Sequence, residues 1–123
     1  MRKFIFLVIL ISLSSCMNSK KIDVESFKIG KFKTVLDANE DVSFAVRNDS
    51  IQIETHDSKE YEYSINWVNN FEYVLKKINP KTTLDNTPFH VKITGIKENS
   101  YTFVANYKGS NFKQKGTVIK ISD

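Results

Sequence analysis

The sequence predicts an all-β fold: an antiparallel meander of about eight strands that closes into a small barrel or half-open barrel, with a β-sandwich as the alternative. Three observations lead there. Apolar residues recur with a period of two along most of the chain beyond residue 26, the pattern of half-buried strands. The runs are separated by short stretches rich in Asn, Asp, Ser and Gly, too short to carry a parallel crossover. No segment has a convincing amphipathic helical period, and a sheet of many short strands with one apolar face has to cover that face by closing or folding over.

The first strand is the least regular. Phe27 and Ile29 share a parity that Phe32 breaks, with Gly30 between them, where a bulge would flip the register. Val42, Phe44 and Val46 then alternate with Ser43, Ala45 and Arg47, and Ile51 and Ile53 with Gln52 and Glu54. The apolar members of both runs are expected in the core, the polar members in solvent. Tyr61, Tyr63, Ile65 and Trp67 alternate with Glu62, Ser64 and Asn66, and Phe71, Tyr73 and Leu75 with Glu72 and Lys76. In that last run Val74 and Ile78 beside Phe71 and Leu75 also permit a short helical turn. Phe89, Val91 and Ile93, then Tyr101, Phe103 and Ala105, continue the strand pattern, and residues 111–121 supply a final strand in which Val118 opposes Ile119 and Ile121.

Turn residues punctuate these runs at Asn48-Asp49-Ser50, Asp57-Ser58-Lys59, Asn69-Asn70, Lys97-Glu98-Asn99-Ser100 and Lys108-Gly109-Ser110. Residues 79–88 form a longer polar loop bounded by Pro80 and Pro88. Eight strands enclose just enough room to be filled by side chains or to hold one small ligand. The bulky aromatic content, 12% of the chain, makes the filled core the default expectation.

The N-terminus carries a different signal. Arg2 and Lys3 precede an unbroken apolar run over residues 4–11, followed by mostly small residues up to the lone cysteine, Cys16. That is the layout of an export signal, and its apolar run falls well short of the roughly 20 residues of a membrane-spanning helix. Leu13-Ser14-Ser15-Cys16 resembles the bacterial lipobox. The resemblance implies a diacylglyceryl group on the Cys16 thiol, cleavage just before it and acylation of the new terminal amine. The expected organisation is a lipoprotein signal peptide over residues 1–15, a lipidated tether over 16–25 and one β-domain over 26–123. Two or more acyl chains make a stable membrane anchor, since each buried methylene contributes about 0.8 kcal/mol. With its one cysteine so used, the chain has none left for a disulfide, and the domain has to stand on its core. Lys20 and Lys21 in the tether are placed to meet anionic headgroups or simply solvent. The absence of an acidic cluster after Cys16 favours the periplasmic face of the outer membrane over the cell surface.

Charge argues against a nucleic-acid partner. The full chain has 18 basic and 14 acidic residues, a net charge of +4, but Arg2 and Lys3 would leave with the signal, so 16 basic residues against 14 acidic give only +2. Removing 15 of the 123 residues leaves 108, enough for one domain.

A wider resemblance covers residues 26–121. Ile65-Asn66-Trp67-Val68-Asn69, the following aromatic strand, Leu75-Lys76-Lys77-Ile78-Asn79-Pro80 and the closing Gly116-Thr117-Val118 strand resemble short lipobox-bearing all-β lipoproteins of Bacteroidota. The resemblance implies host type, envelope address and fold more than an activity. Some such short chains are labelled as a type II topoisomerase. No nucleotide-binding loop is present here and an exported domain of this size is not expected to hold ATPase or DNA-cleavage machinery, so that activity is not expected.

No catalytic residues are expected. His56 and His90 lack metal-type spacing with each other or with a cysteine, Glu54, Glu60, Glu62 and Glu72 fall at outward positions, and no serine, histidine and aspartate can be grouped from residue types alone. No metal and no cofactor are expected beyond the covalent lipid on Cys16. Asp49-Ser50-Ile51 resembles the three-residue O-glycosylation signal of Bacteroidota, which makes Ser50 a candidate glycan acceptor at a hairpin tip. The expected function is that of a membrane-anchored, non-enzymatic binding or envelope-accessory domain whose partner, a protein or a small apolar ligand, the sequence does not identify. One alternative is a lipocalin-like carrier of a small apolar ligand lined by Phe44, Tyr63, Trp67 and Phe103. Another is an inhibitor of a cell-wall hydrolase, although the cysteine pair and glycine-rich signatures of such small lipobox barrels are missing.

Overall fold

The computed structural model describes residues 23–123, and the expectations that concern Leu13, Ser14, Ser15 and Cys16 lie outside them. A 3-10 turn, Val24–Lys28, leads into eight strands: β1 (Gly30–Leu36), β2 (Val42–Arg47), β3 (Ile51–His56), β4 (Lys59–Asn69), β5 (Glu72–Lys77), β6 (Phe89–Ile96), β7 (Ser100–Tyr107) and β8 (Gln114–Ser122). Each strand pairs antiparallel with its sequence neighbours, and β8 returns to β1, so the meander closes into a barrel with no free edge. The sandwich alternative is thereby excluded. Residues 72–77 are strand rather than helical turn, with Tyr73 and Leu75 inward and Phe71 exposed at the hairpin tip.

The turn chemistry fixes the hairpins. Asp57 and Ser58 both take positive φ, 49° and 64°, the two-residue geometry whose twist matches the flanking strands. The Asn48 Oδ1 accepts the backbone N–H groups of Ser50 and Ile51, at 3.0 and 2.8 Å, and folds the β2–β3 tip. The barrel seam depends on a missing side chain: a Cβ on Gly116 would stand 2.5 Å from the Val35 carbonyl oxygen and 3.0 Å from the Phe103 ring. Glycine there lets β8 approach β1.

Two expectations are corrected. Phe27 belongs to the 3-10 turn, Val24–Lys28, and not to the first strand. Asp23 caps the turn by accepting Glu25 N–H at 3.0 Å. Gly30 does mark the change of register, with φ 135° and a shift in the β1–β8 ladder between Lys31 and Phe32.

The second correction concerns β2 and β3, which are turned the other way from the expectation. Phe44 and Val46 are exposed on the outside, and Ala45, Arg47, Gln52 and Glu54 face inward. The reason lies in the pairing with β1. Phe32 is fully buried and opposes Ala45, while Gly30 opposes Arg47. Directly paired residues share a face, so β1 carries Ala45 and Arg47 inside and sends Phe44 and Val46 out. A Cβ on Gly30 would stand 2.6 Å from the Ser122 carbonyl oxygen, so glycine there serves the approach of β8.

The apolar core is therefore one-sided. Ile65, Tyr73, Leu75, Val91, Ile93, Tyr101, Phe103, Ala105 and Val118 come from β4 to β8, joined by Phe32 and by Phe27 from the 3-10 turn.

Candidate functional site

The N-terminal turn closes one end of the barrel. Phe27 is fully buried and meets Tyr101 edge-on at 5.2 Å between ring centroids. Lys120 Nζ donates to the Ser26 carbonyl at 2.7 Å and Lys28 Nζ to Asn70 Oδ1 at 3.1 Å, tying the turn to β8 and to the β4–β5 tip. The opposite end is the mouth.

Arg47 forms the floor. It is 3% exposed, with Nε donating to Gln52 Oε1 at 2.9 Å and Nη1 to the Phe27 carbonyl at 2.8 Å and the Tyr101 hydroxyl at 3.2 Å. Nη2 makes one long contact, 3.4 Å to the Tyr73 hydroxyl. The guanidinium also lies 4.5 Å from the Phe32 ring centroid and 4.9 Å from that of Tyr73. Burial works against its charge, but the facing oxygens of Tyr101 and Tyr73 outweigh that and leave its pKa raised. The Tyr73 phenol is pushed well above its ordinary value, chiefly by burial.

Above this floor lies a cavity of about 260 Å³. Its walls differ in character. Leu75, Val91, Phe103 and Val118 make an apolar side, while Ser43, Gln52, Glu54 and His56 from the inverted β2–β3 hairpin make a polar one. A second hollow of about 320 Å³ at the mouth adds Tyr63, Lys77, Asp85 and Tyr107 and shares Glu54, Leu75, Phe89 and Gln114 with the first, so the two are continuous.

Burial raises the Glu54 pKa against the opposing hydrogen bond from Ser43 and the charges of His56 and Arg47. His56 Nε2 pairs with Asp41 Oδ2 at 2.8 Å, and that hydrogen bond raises the imidazole pKa. The loop over residues 79–88 is pinned beside the mouth by Asp85, whose Oδ2 accepts the Lys81 N–H at 3.0 Å, which lowers its pKa.

The candidate ligand-lining residues separate. Phe103 lines the cavity and Tyr63 the mouth. Trp67 lies at the closed end, 4.6 Å from Tyr73 between centroids, its Nε1 buried without a hydrogen-bond partner among the described residues. Phe44 is 49% exposed on the outer wall and lines an outside groove with Val46, Ile53 and Ile121. It does not reach the lumen. Glu54, expected outside, is inside; Glu60 and Glu62 are exposed, as is His90. Ser50 is exposed at the β2–β3 tip.

The side chains that the sequence reading assigned to solvent, Arg47, Gln52, Glu54 and His56, are the polar wall of the lumen. The alternation within each strand was visible, but period two alone assigns no face to the inside. Among the described residues no group of three or more His, Cys, Asp or Glu side chains gathers as a metal site. No family model, curated protein or solved structure matches the chain.

Proposed function

We propose that this chain is a lipid-anchored envelope protein, held through Cys16, whose barrel is a binding domain without catalytic role and whose ligand seat is the lumen. The observation that carries the reading is the inversion of β2 and β3. A barrel built only for stability would bury Phe44, Val46 and Ile53; this one exposes Phe44 and Val46 and keeps Arg47 and Glu54 inside, at a desolvation cost. Rules of folding broken at one place are characteristic of functional sites. A half-polar, half-apolar lumen fits an amphipathic small molecule better than the wholly apolar ligand that the aromatic residues alone suggest.

Native mass spectrometry of the lipidated protein, taken gently from its own membranes and compared with the denatured protein, tests the seat. The expected result is a stoichiometric non-covalent mass that vanishes on denaturation. A bare lipoprotein mass in both states would refute the carrier reading and favour a module that meets a protein partner on its outer wall. For the anchor, Cys16→Ala is expected to release the protein from membranes with the barrel intact; a variant that still partitions with membranes would sink that part.

A further inference from the structure

The proposed lumen has a charge at its base that the fold leaves unanswered. Arg47 cannot lose its proton in a protein, is buried and lines the cavity. Among the described residues no carboxylate forms an ion pair with it. Its structural duties use Nε and Nη1, which join β2 to β3, to the 3-10 turn and to Tyr101. Nη2 has two hydrogens and one long contact, to Tyr73. Tyr73 and Tyr101 share one hydrogen bond, 2.8 Å between their oxygens. When Tyr101 donates it, the Tyr73 proton is free, and Tyr73 also lines the cavity.

We propose that this floor seats the carboxylate of an amphipathic monoanion, with Arg47 Nη2 and the Tyr73 hydroxyl as its two donors. These donors stand 3.4 Å apart, a spacing on which the two oxygens of one carboxylate can converge, and a guanidinium beside a second donor is suited to planar anions. The single positive charge selects a monoanion. A phosphate dianion would bring a second negative charge to a floor whose one cation is Arg47, in a lumen that already holds Glu54. The wall of Leu75, Val91, Phe103 and Val118 receives the apolar body. An entering carboxylate would also relieve the cost of an unpaired buried charge. This inference rests on the lumen being the ligand seat, and names the chemistry of what it takes.

The test is calorimetric titration of the intact protein with sodium octanoate and, separately, with 1-octanol, which shares the apolar body without the charge. Octanoate is expected to bind about tenfold or more tightly, the effect of one charge-assisted hydrogen bond. Arg47→Met is expected to abolish the preference, and the Arg47 Nε–H resonance of the wild-type protein to shift with octanoate. Tyr73→Phe, which removes only a hydroxyl, is expected to narrow the preference even if Arg47→Met fails to fold. Equal binding of the two probes would overturn the carboxylate seat and leave the lumen as a binding site. Binding of neither would overturn both. Displacement of octanoate by inorganic phosphate would overturn the assignment to a monoanion.

Discussion

Phe27 and Phe44 make opposite predictions that test both corrections to the fold. Phe27 is fully buried, stacked edge-on against Tyr101, and sits on the turn whose backbone carbonyl holds Arg47. Phe27→Ala removes a buried aromatic ring, a change that costs about 3 to 5 kcal/mol, within which the contact with Tyr101 accounts for about 0.5 to 1.5. Since about 1 kcal/mol moves the melting temperature of a domain near 100 residues by roughly 4 to 8 °C, the variant should melt at least 12 °C lower. Phe44 is half exposed on the outer wall, and Phe44→Ala is expected to cost less than about 1 kcal/mol, near the range of ordinary surface changes. Urea unfolding followed by near-ultraviolet circular dichroism gives both values from one protocol, provided the slopes agree with wild type. If Phe44→Ala is the more damaging of the two, β2 faces the other way and the polar lumen does not exist. If Phe27→Ala is neutral, the 3-10 turn does not close the barrel.

Three further outcomes follow from the same geometry. Glu54 has a raised pKa in the folded chain because of burial, so the folded state holds its proton longer, and stability falls as pH rises from the unfolded carboxylate range to the raised value; Glu54→Gln should remove that slope and be the more stable protein at neutral pH in urea melts. His56 has the same sign in a higher window: its pKa is raised by the hydrogen bond to Asp41, so its contribution is complete below the unfolded imidazole value and disappears as pH rises through the folded one. Asp41→Asn should lower the His56 midpoint in an NMR titration, and an unchanged midpoint would show the pair is not formed in solution. Gly116→Ala forces a Cβ against the Val35 carbonyl and the Phe103 ring and should cost about 1 to 3 kcal/mol, as overpacking does, with early amide exchange along β1 and β8; uniform exchange would argue against a tight seam there.

The strands, their number and their antiparallel order are local properties. Side-chain alternation marks a strand, and a connection such as Asp57-Ser58 admits only a hairpin, so the sequence by itself determined an eight-stranded meander. It also determined the inward faces of β4, β6 and β7, because Ile65, Val91, Ile93, Tyr101 and Phe103 stand against charged or polar neighbours whose burial would have no compensation. The helical turn allowed at Phe71 to Leu75 was decided against by pairing with β4 and β6 on both sides. What only the tertiary structure decided is which face of β2 and β3 lies inside. A strand of alternating character offers two faces, and the choice belongs to its neighbour: once β1 buries Phe32 opposite Ala45, Ala45 and Arg47 must follow inward. Arg47 then finds the Phe27 carbonyl and the two tyrosine hydroxyls, from residues 20, 26 and 54 positions away. No local pattern can contain partners at such distances. The barrel was therefore readable from period and turns, while its polar lumen exists only because closure brings those distant groups around one buried charge.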